Sequence, residues 1–117
     1  MSASHLLFSF PDASSADGNR FAGSLAETLR DLDPLIQIQR VREHNDTQDF
    51  GASLAVVLGT TALTALAKGL ASWLARNSGA RIEIRREGQV LMTASHLDSR
   101  DVPKLVEALR TAGVSDV

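Results

Sequence analysis

Between Gly51 and Ala67 the chain runs 17 residues without a charged side chain, and the apolar pattern continues past Lys68 and Arg76 to Asn77. Read as one helix, Gly51 to Asn77 spans 27 residues and would reach roughly 40 Å at about 1.5 Å per residue. A single domain of this length has a radius of gyration of only about 13 to 14 Å. Such a helix has to bend, at Gly59 or Gly69, or project beyond its own sheet and leave surface that needs a partner.

The two halves of the run differ around the helical wheel. Leu63, Leu66, Leu70, Trp73 and Leu74 gather on one face, while Thr60, Thr64, Lys68, Ser72 and Arg76 follow another. In the first half Leu54, Val57 and Leu58 point away from Ala52, Ala55, Val56 and Gly59, so apolar residues encircle the axis. A helix apolar all round has to be covered by the rest of the fold, by sister subunits or by lipid. An uncharged run of 17 residues lies at the lower edge of a bilayer span, but its alanines, Ser53, Thr60, Thr61 and Thr64 transfer poorly into lipid. Gly51, Ala55 and Gly59, four apart, form a small-residue ridge that permits close helix approach. The expected interaction element is therefore the helix 50–77, through Leu54, Leu58, Gly59, Leu63, Leu66, Leu70, Trp73 and Leu74. For Trp73 core packing is the first expectation and an interface anchor the second.

The flanking sequence predicts the remaining elements. His5 to Phe10 is a short apolar run closed by Pro11 and Asp12, which reads as a buried strand followed by a polar loop to Asn19. From Arg20, Phe21, Leu25, Leu29 and Leu32 recur at helical steps until Pro34 stops them. Ile36 and Ile38 alternate with Gln37 and Gln39 as a half-buried strand continuing to about Arg42. Glu43 to Asp49 is polar, and Asn45, Asp46, Thr47 and Asp49 suit the start of the long helix. Asn77, Ser78 and Gly79 suit its end. Ala80 to Arg86 and Val90 to Ala94 read as a hairpin with Ile82 and Ile84 inward. A final helix capped by Asp98 or Ser99 sets Val102, Leu105, Val106 and Leu109 on one face.

The expected order is thus β-α-β-α-β-β-α, a single α/β (α+β) two-layer sandwich over residues 1–117. About four strands are covered by the first and last helices, beside one long apolar helix. A parallel first crossover is expected. The chain has no cysteine, which removes disulfides, thiolate metal clusters and a cysteine nucleophile. Fourteen acids against twelve bases, a net charge of −2, argue against a dedicated nucleic-acid binder. The first residues lack a basic region followed by an apolar core and cleavage site, which predicts a cytoplasmic protein.

No residue cluster commits the chain to catalysis. His5, His44 and His96 stand at no metal-ligand spacing with one another. His44 with Asp46 and Asp49, and His96 with Asp98 and Asp101, fall where helix caps are expected, and capping also explains Ser99 better than a hydrolase cluster does. The glycines form no phosphate loop or dinucleotide fingerprint. Arg81, Arg85 and Arg86 with Arg100 and Lys104 make a local basic excess that reads as a solvated strand face. Neither a metal nor a cofactor is expected.

The segment Leu63-Thr64-Ala65-Leu66-Ala67-Lys68-Gly69-Leu70-Ala71-Ser72-Trp73-Leu74 carries a resemblance. It lies between an Ile-Gln-Ile strand and a basic hairpin followed by a short helix. In this order, over almost the whole chain, the sequence resembles the effector-associated constant component family, small bacterial proteins encoded beside effector and peptidase or NTPase modules of conflict systems. The resemblance implies a non-catalytic adaptor or scaffold that couples a sensor, peptidase or NTPase component to an effector. It brings no catalytic residue with it. Protein partners and a homo-oligomer built on the helix 50–77 are expected, with triggered membrane insertion of residues 51–77 as the alternative.

Overall fold

The computed structural model describes residues 4–11, 13–32, 36–45, 48–58, 63–77, 79–86, 89–95, 97 and 99–111, with residues 4, 5, 15, 42–45, 48–52, 58 and 99 by backbone alone. The elements are β1 (Ser4–Ser9), α1 (Ser15–Leu32), β2 (Gln37–Asn45), β3 (Gln48–Leu58), α2 (Leu63–Arg76), β4 (Arg81–Arg86), β5 (Gln89–Ser95), a 3-10 turn (Ser99–Asp101) and α3 (Val102–Thr111).

The long helix does not exist. Its first half is the strand β3 and only Leu63–Arg76 is helical. The sheet has five strands in the order β2-β3-β1-β4-β5, every neighbouring pair antiparallel. The physical reason lies in the residues that encircled the helical wheel. With period two, Leu54 and Val56 point to one side and are buried, while Ser53, Ala55 and Val57 point to the other. An interior strand is apolar on both faces, and a short apolar run of that kind does not distinguish a strand from a buried helix. The adjacent Val56 and Val57, stiff at χ1, favour the extended form.

The segment expected to start the helix is instead the end of a hairpin. His44 pairs with Asp49 and Asn45 with Gln48, after a register shift between Arg42 and His44. Gly51 and Ala55 therefore lie on β3 rather than on a helical ridge, and Gly59 lies outside the described residues. A helix of 14 residues is about 21 Å long, and among the described residues no helix is long and apolar enough to cross a membrane. Triggered insertion of residues 51–77 thus loses the element on which it rested.

β1 and β2 run parallel but are separated by β3, which is antiparallel to both. β3 and β4 are likewise parallel about β1. This β-α-β-β-α-β connectivity, with strands ordered β2-β3-β1-β4, is the split βαβ arrangement of ferredoxin-like domains, extended here by β5 and α3.

All three helices contribute to one core with the same side of the sheet. Leu6, Phe8, Leu54, Val56, Ile82 and Ile84 meet Leu25 and Leu29 of α1, Leu66, Leu70 and Trp73 of α2, and Leu105 and Leu109 of α3. The helical layer is thus α1 and α2 with α3 beside α2, rather than the first and last helices alone. The other sheet face carries Leu7, Ser9, Ser53, Ala55, Glu83 and Arg85, and no described helix packs on it.

The first helix begins earlier than its apolar repeat suggests. Ser14 caps it, its Oγ accepting from the Asp17 backbone N–H at 3.1 Å, so Ser15 to Asn19 is helix and not loop. The expected end of α2 is present: the Asn77 N–H donates to the Trp73 carbonyl at 3.0 Å, and the Ala80 N–H to the Asn77 carbonyl at 2.9 Å. The hairpin β4-β5 and the apolar face of α3 also agree with expectation, Ile82, Ile84 and Leu109 being wholly buried.

Candidate functional site: a groove between the helices

Six of the eight residues expected to mediate interaction are buried within the core of this chain. Leu63, Leu66, Leu70, Trp73 and Leu74 of α2 are each no more than 1% exposed, and Leu54 of β3 is wholly buried. Leu58 ends β3, and its side chain is outside the described residues, as is Gly59 altogether. Trp73 fills the first of its two expected roles. Its ring lies 5.8 Å from Phe10 and 5.5 Å, edge-on, from Phe21, and these rings also approach each other at 5.7 Å. Its Nε1–H donates to Ser24 Oγ at 2.9 Å, which satisfies the one polar atom of a buried indole.

That hydrogen bond opens a polar seam between α1 and α2. Thr28 Oγ1 donates to the Ser24 carbonyl at 3.2 Å and accepts from Arg76 Nη2 at 2.8 Å. The Arg76 guanidinium is thereby held against α1. Below the seam the helices approach closely at Gly69, where a Cβ would meet Leu29 Cδ2 at 2.7 Å and Leu32 Cδ1 at 2.8 Å. Leu32 is therefore rooted on α2 at one end and 48% exposed overall.

Beyond this contact the surface opens into a groove of about 650 Å³ lined by Thr28, Asp31, Leu32, Lys68, Ser72, Arg76, Val102 and Pro103. Helix α1 supplies one wall, α2 the other, and the first turn of α3 closes the end. Lys68, Ser72 and Arg76 stand four residues apart, so they line one face of α2. Among the described residues the Lys68 and Asp31 side chains have no hydrogen-bond or ion-pair partner, although both are exposed at the groove. The arrangement offers an apolar floor of Leu32, Val102 and Pro103 under two cations and one carboxylate. Such a surface suits an apolar side chain with an acidic group beside it. The helical wheel had already separated Lys68, Ser72 and Arg76 from the leucine face. No sequence pattern joins them to Asp31 and Val102, because α1 and α3 reach α2 only through the fold.

The candidate polar clusters do not assemble a reactive centre that can be described. His5 and His44 lie in β1 and β2 with side chains outside the described residues, and Asp46, His96 and Asp98 are not described at all. Asp101 sits in the 3-10 turn. Among the described residues no group of three or more His, Asp or Glu side chains is placed to hold a metal ion. The basic excess divides between surfaces. Arg85 lies on the open sheet face, its Nε 3.4 Å from Glu83 Oε1 and its Nη2 3.4 Å from Ser9 Oγ. Lys104 lies on α3 at the far side of the core, on the helical layer.

Fold and groove together define a small α+β module with an open groove between its three helices. The chain belongs to the Effector Associated Constant Component 1 family, whose sequence profile matches residues 14–111, all but the first 13 residues, which hold β1, and the last six. It is thus an accessory component of effector-associated systems. No curated protein and no solved structure matches the chain.

Proposed function

We propose that the protein is a non-catalytic, cytoplasmic adaptor of a bacterial defence system, and that it holds a segment of an effector, peptidase or NTPase component in the groove between α1, α2 and α3. The observation that carries this reading is the pairing of exposed Leu32 with Lys68 and Asp31, charges without a partner among the described residues, in one groove lining. Isolated exposed leucines are ordinary, but one fixed in the lining of a groove gives a partner a preorganised contact. The partner chemistry that fits is an amphipathic helix or turn with one apolar anchor and an acidic side chain within reach of Lys68 and Arg76. Membership of the effector-associated family supports a protein rather than a metabolite as occupant.

The adaptor role also calls for self-association. The buried leucines of α2 are not available for it, so a second copy has to use another surface. The groove reading is tested by titrating the effector component proposed as partner into the wild type and into the variant Lys68→Glu with Arg76→Glu. The expected result is at least about tenfold weaker binding with an unchanged fold, since like charges across an interface repel. Equal affinity in the two proteins would remove the groove from the function.

A further inference from the structure

The sheet has two edges, and they are built differently. β2 carries Arg40 and Arg42 among its residues, and charged side chains are a common protection against edge pairing. β5, Gln-Val-Leu-Met-Thr-Ala-Ser, has no charge over its seven residues. Its outer side meets no strand among the described residues, and Val90 on it is 56% exposed. Among the described residues, Val90 and Leu32 are the large hydrophobic side chains left exposed.

From this contrast we infer that β5 pairs antiparallel with β5 of a second copy about a two-fold axis, joining two sheets into one. The inference rests on the adaptor reading and says which surface carries self-association. Three features favour a second copy over a foreign strand. First, an uncharged strand meets itself without opposing like charges, whereas β2 paired with itself about Val41 would set Arg40 against Arg42. Second, pairing centred on Thr93 opposes Thr93 to itself on the open face and Met92 to Ala94 on the helical side, where both already contact the core. The register shift between Ile84 and Arg85 lies toward the other end of β5, at Val90 and Leu91, and so outside the central pairs. Third, the helical side of this edge holds a hollow of about 840 Å³ between β5 and α3, at whose margin Lys104 and Glu107 stand together. One cation and one anion on the same margin are self-complementary across a two-fold, so each copy's lysine meets the other's glutamate.

The test is a charge swap at Thr93, which is exposed and takes no part in the core. Sedimentation of the wild type over micromolar to sub-millimolar concentration should show a reversible dimer. Thr93→Lys and Thr93→Glu, each with an unchanged circular dichroism spectrum, should each dissociate it by about tenfold or more, because each opposes like charges. An equimolar mixture of the two variants should restore the dimer. A wild-type monomer throughout, a dimer indifferent to both substitutions, or an open polymer from β2 stacking on β5 would each overturn the inference. Partner binding that persists in a strictly monomeric wild type would fail this inference and leave the groove reading standing. A dimer that binds no partner would do the reverse.

Discussion

The two faces of α2 differ in kind although they share one helix of 14 residues. Leu63, Leu66, Leu70, Trp73 and Leu74 are withdrawn from water, whereas Thr64, Lys68, Ser72 and Arg76 are exposed, the last three lining the groove. The inner face is fixed by close packing, where each methylene counts. The outer face is fixed at one point by the Arg76 bond to Thr28 and is otherwise unpartnered among the described side chains. Strong hydrophobicity on a helix therefore marks the core here. The surface proposed to recognise a partner is the less apolar one, which the core leaves in position.

This contrast breaks most visibly at Leu70. Leu70→Asp buries a carboxylate among Leu29, Trp73 and their neighbours, and the loss should exceed about 4 kcal/mol. For a domain of ordinary stability that means an unfolded chain by circular dichroism; a folded protein that merely changed its oligomeric state would place Leu70 at an interface instead. Next in size, Ser24→Ala removes the acceptor of the Trp73 Nε1–H inside the core. We expect a cost of about 1 to 3 kcal/mol in urea unfolding, the penalty of an orphaned buried donor. Ser14→Ala should cost about 1 kcal/mol through loss of the α1 cap. Its effect should appear in stability and not in partner binding. Smallest in stability, Lys68→Glu alone, which leaves the Arg76 bond to Thr28 in place, should stay within about 0.5 kcal/mol of wild type. If that substitution proved as costly as Ser24→Ala, the outer face would be structural as well.

How far the sequence discloses this molecule depends on the segment. The β4-β5 hairpin, the apolar face of α3 and the end of α2 at Asn77 are legible because alternation, helical spacing and a stop signal agree there. Residues 48–58 are not, because an interior strand with Ser53, Ala55 and Val57 on one side and Leu54 and Val56 on the other is mostly apolar on both sides, and from Gly51 onward no charged residue reveals its period. Joined to a true amphipathic helix after it, that strand imitates a single long helix. The same merger hides the site. Once Leu63 to Leu74 are assigned to an exposed helix they attract the functional reading, whereas in the fold Gly69 admits Leu29 and Leu32 and the face closes. Lys68, Ser72 and Arg76 could be grouped from spacing alone. Their neighbours Asp31, Leu32, Val102 and Pro103 are brought to them only by packing α1 and α3 against α2.

The most direct test of the account is a paired measurement on the outer face: thermal unfolding and the binding isotherm of the effector component proposed as partner, for wild type and for Lys68→Glu. The account predicts midpoints within about 2 °C of each other and binding weakened by at least about tenfold in the variant. Binding of equal strength in the two proteins would contradict it, and so would a variant that lost binding only because it no longer folded.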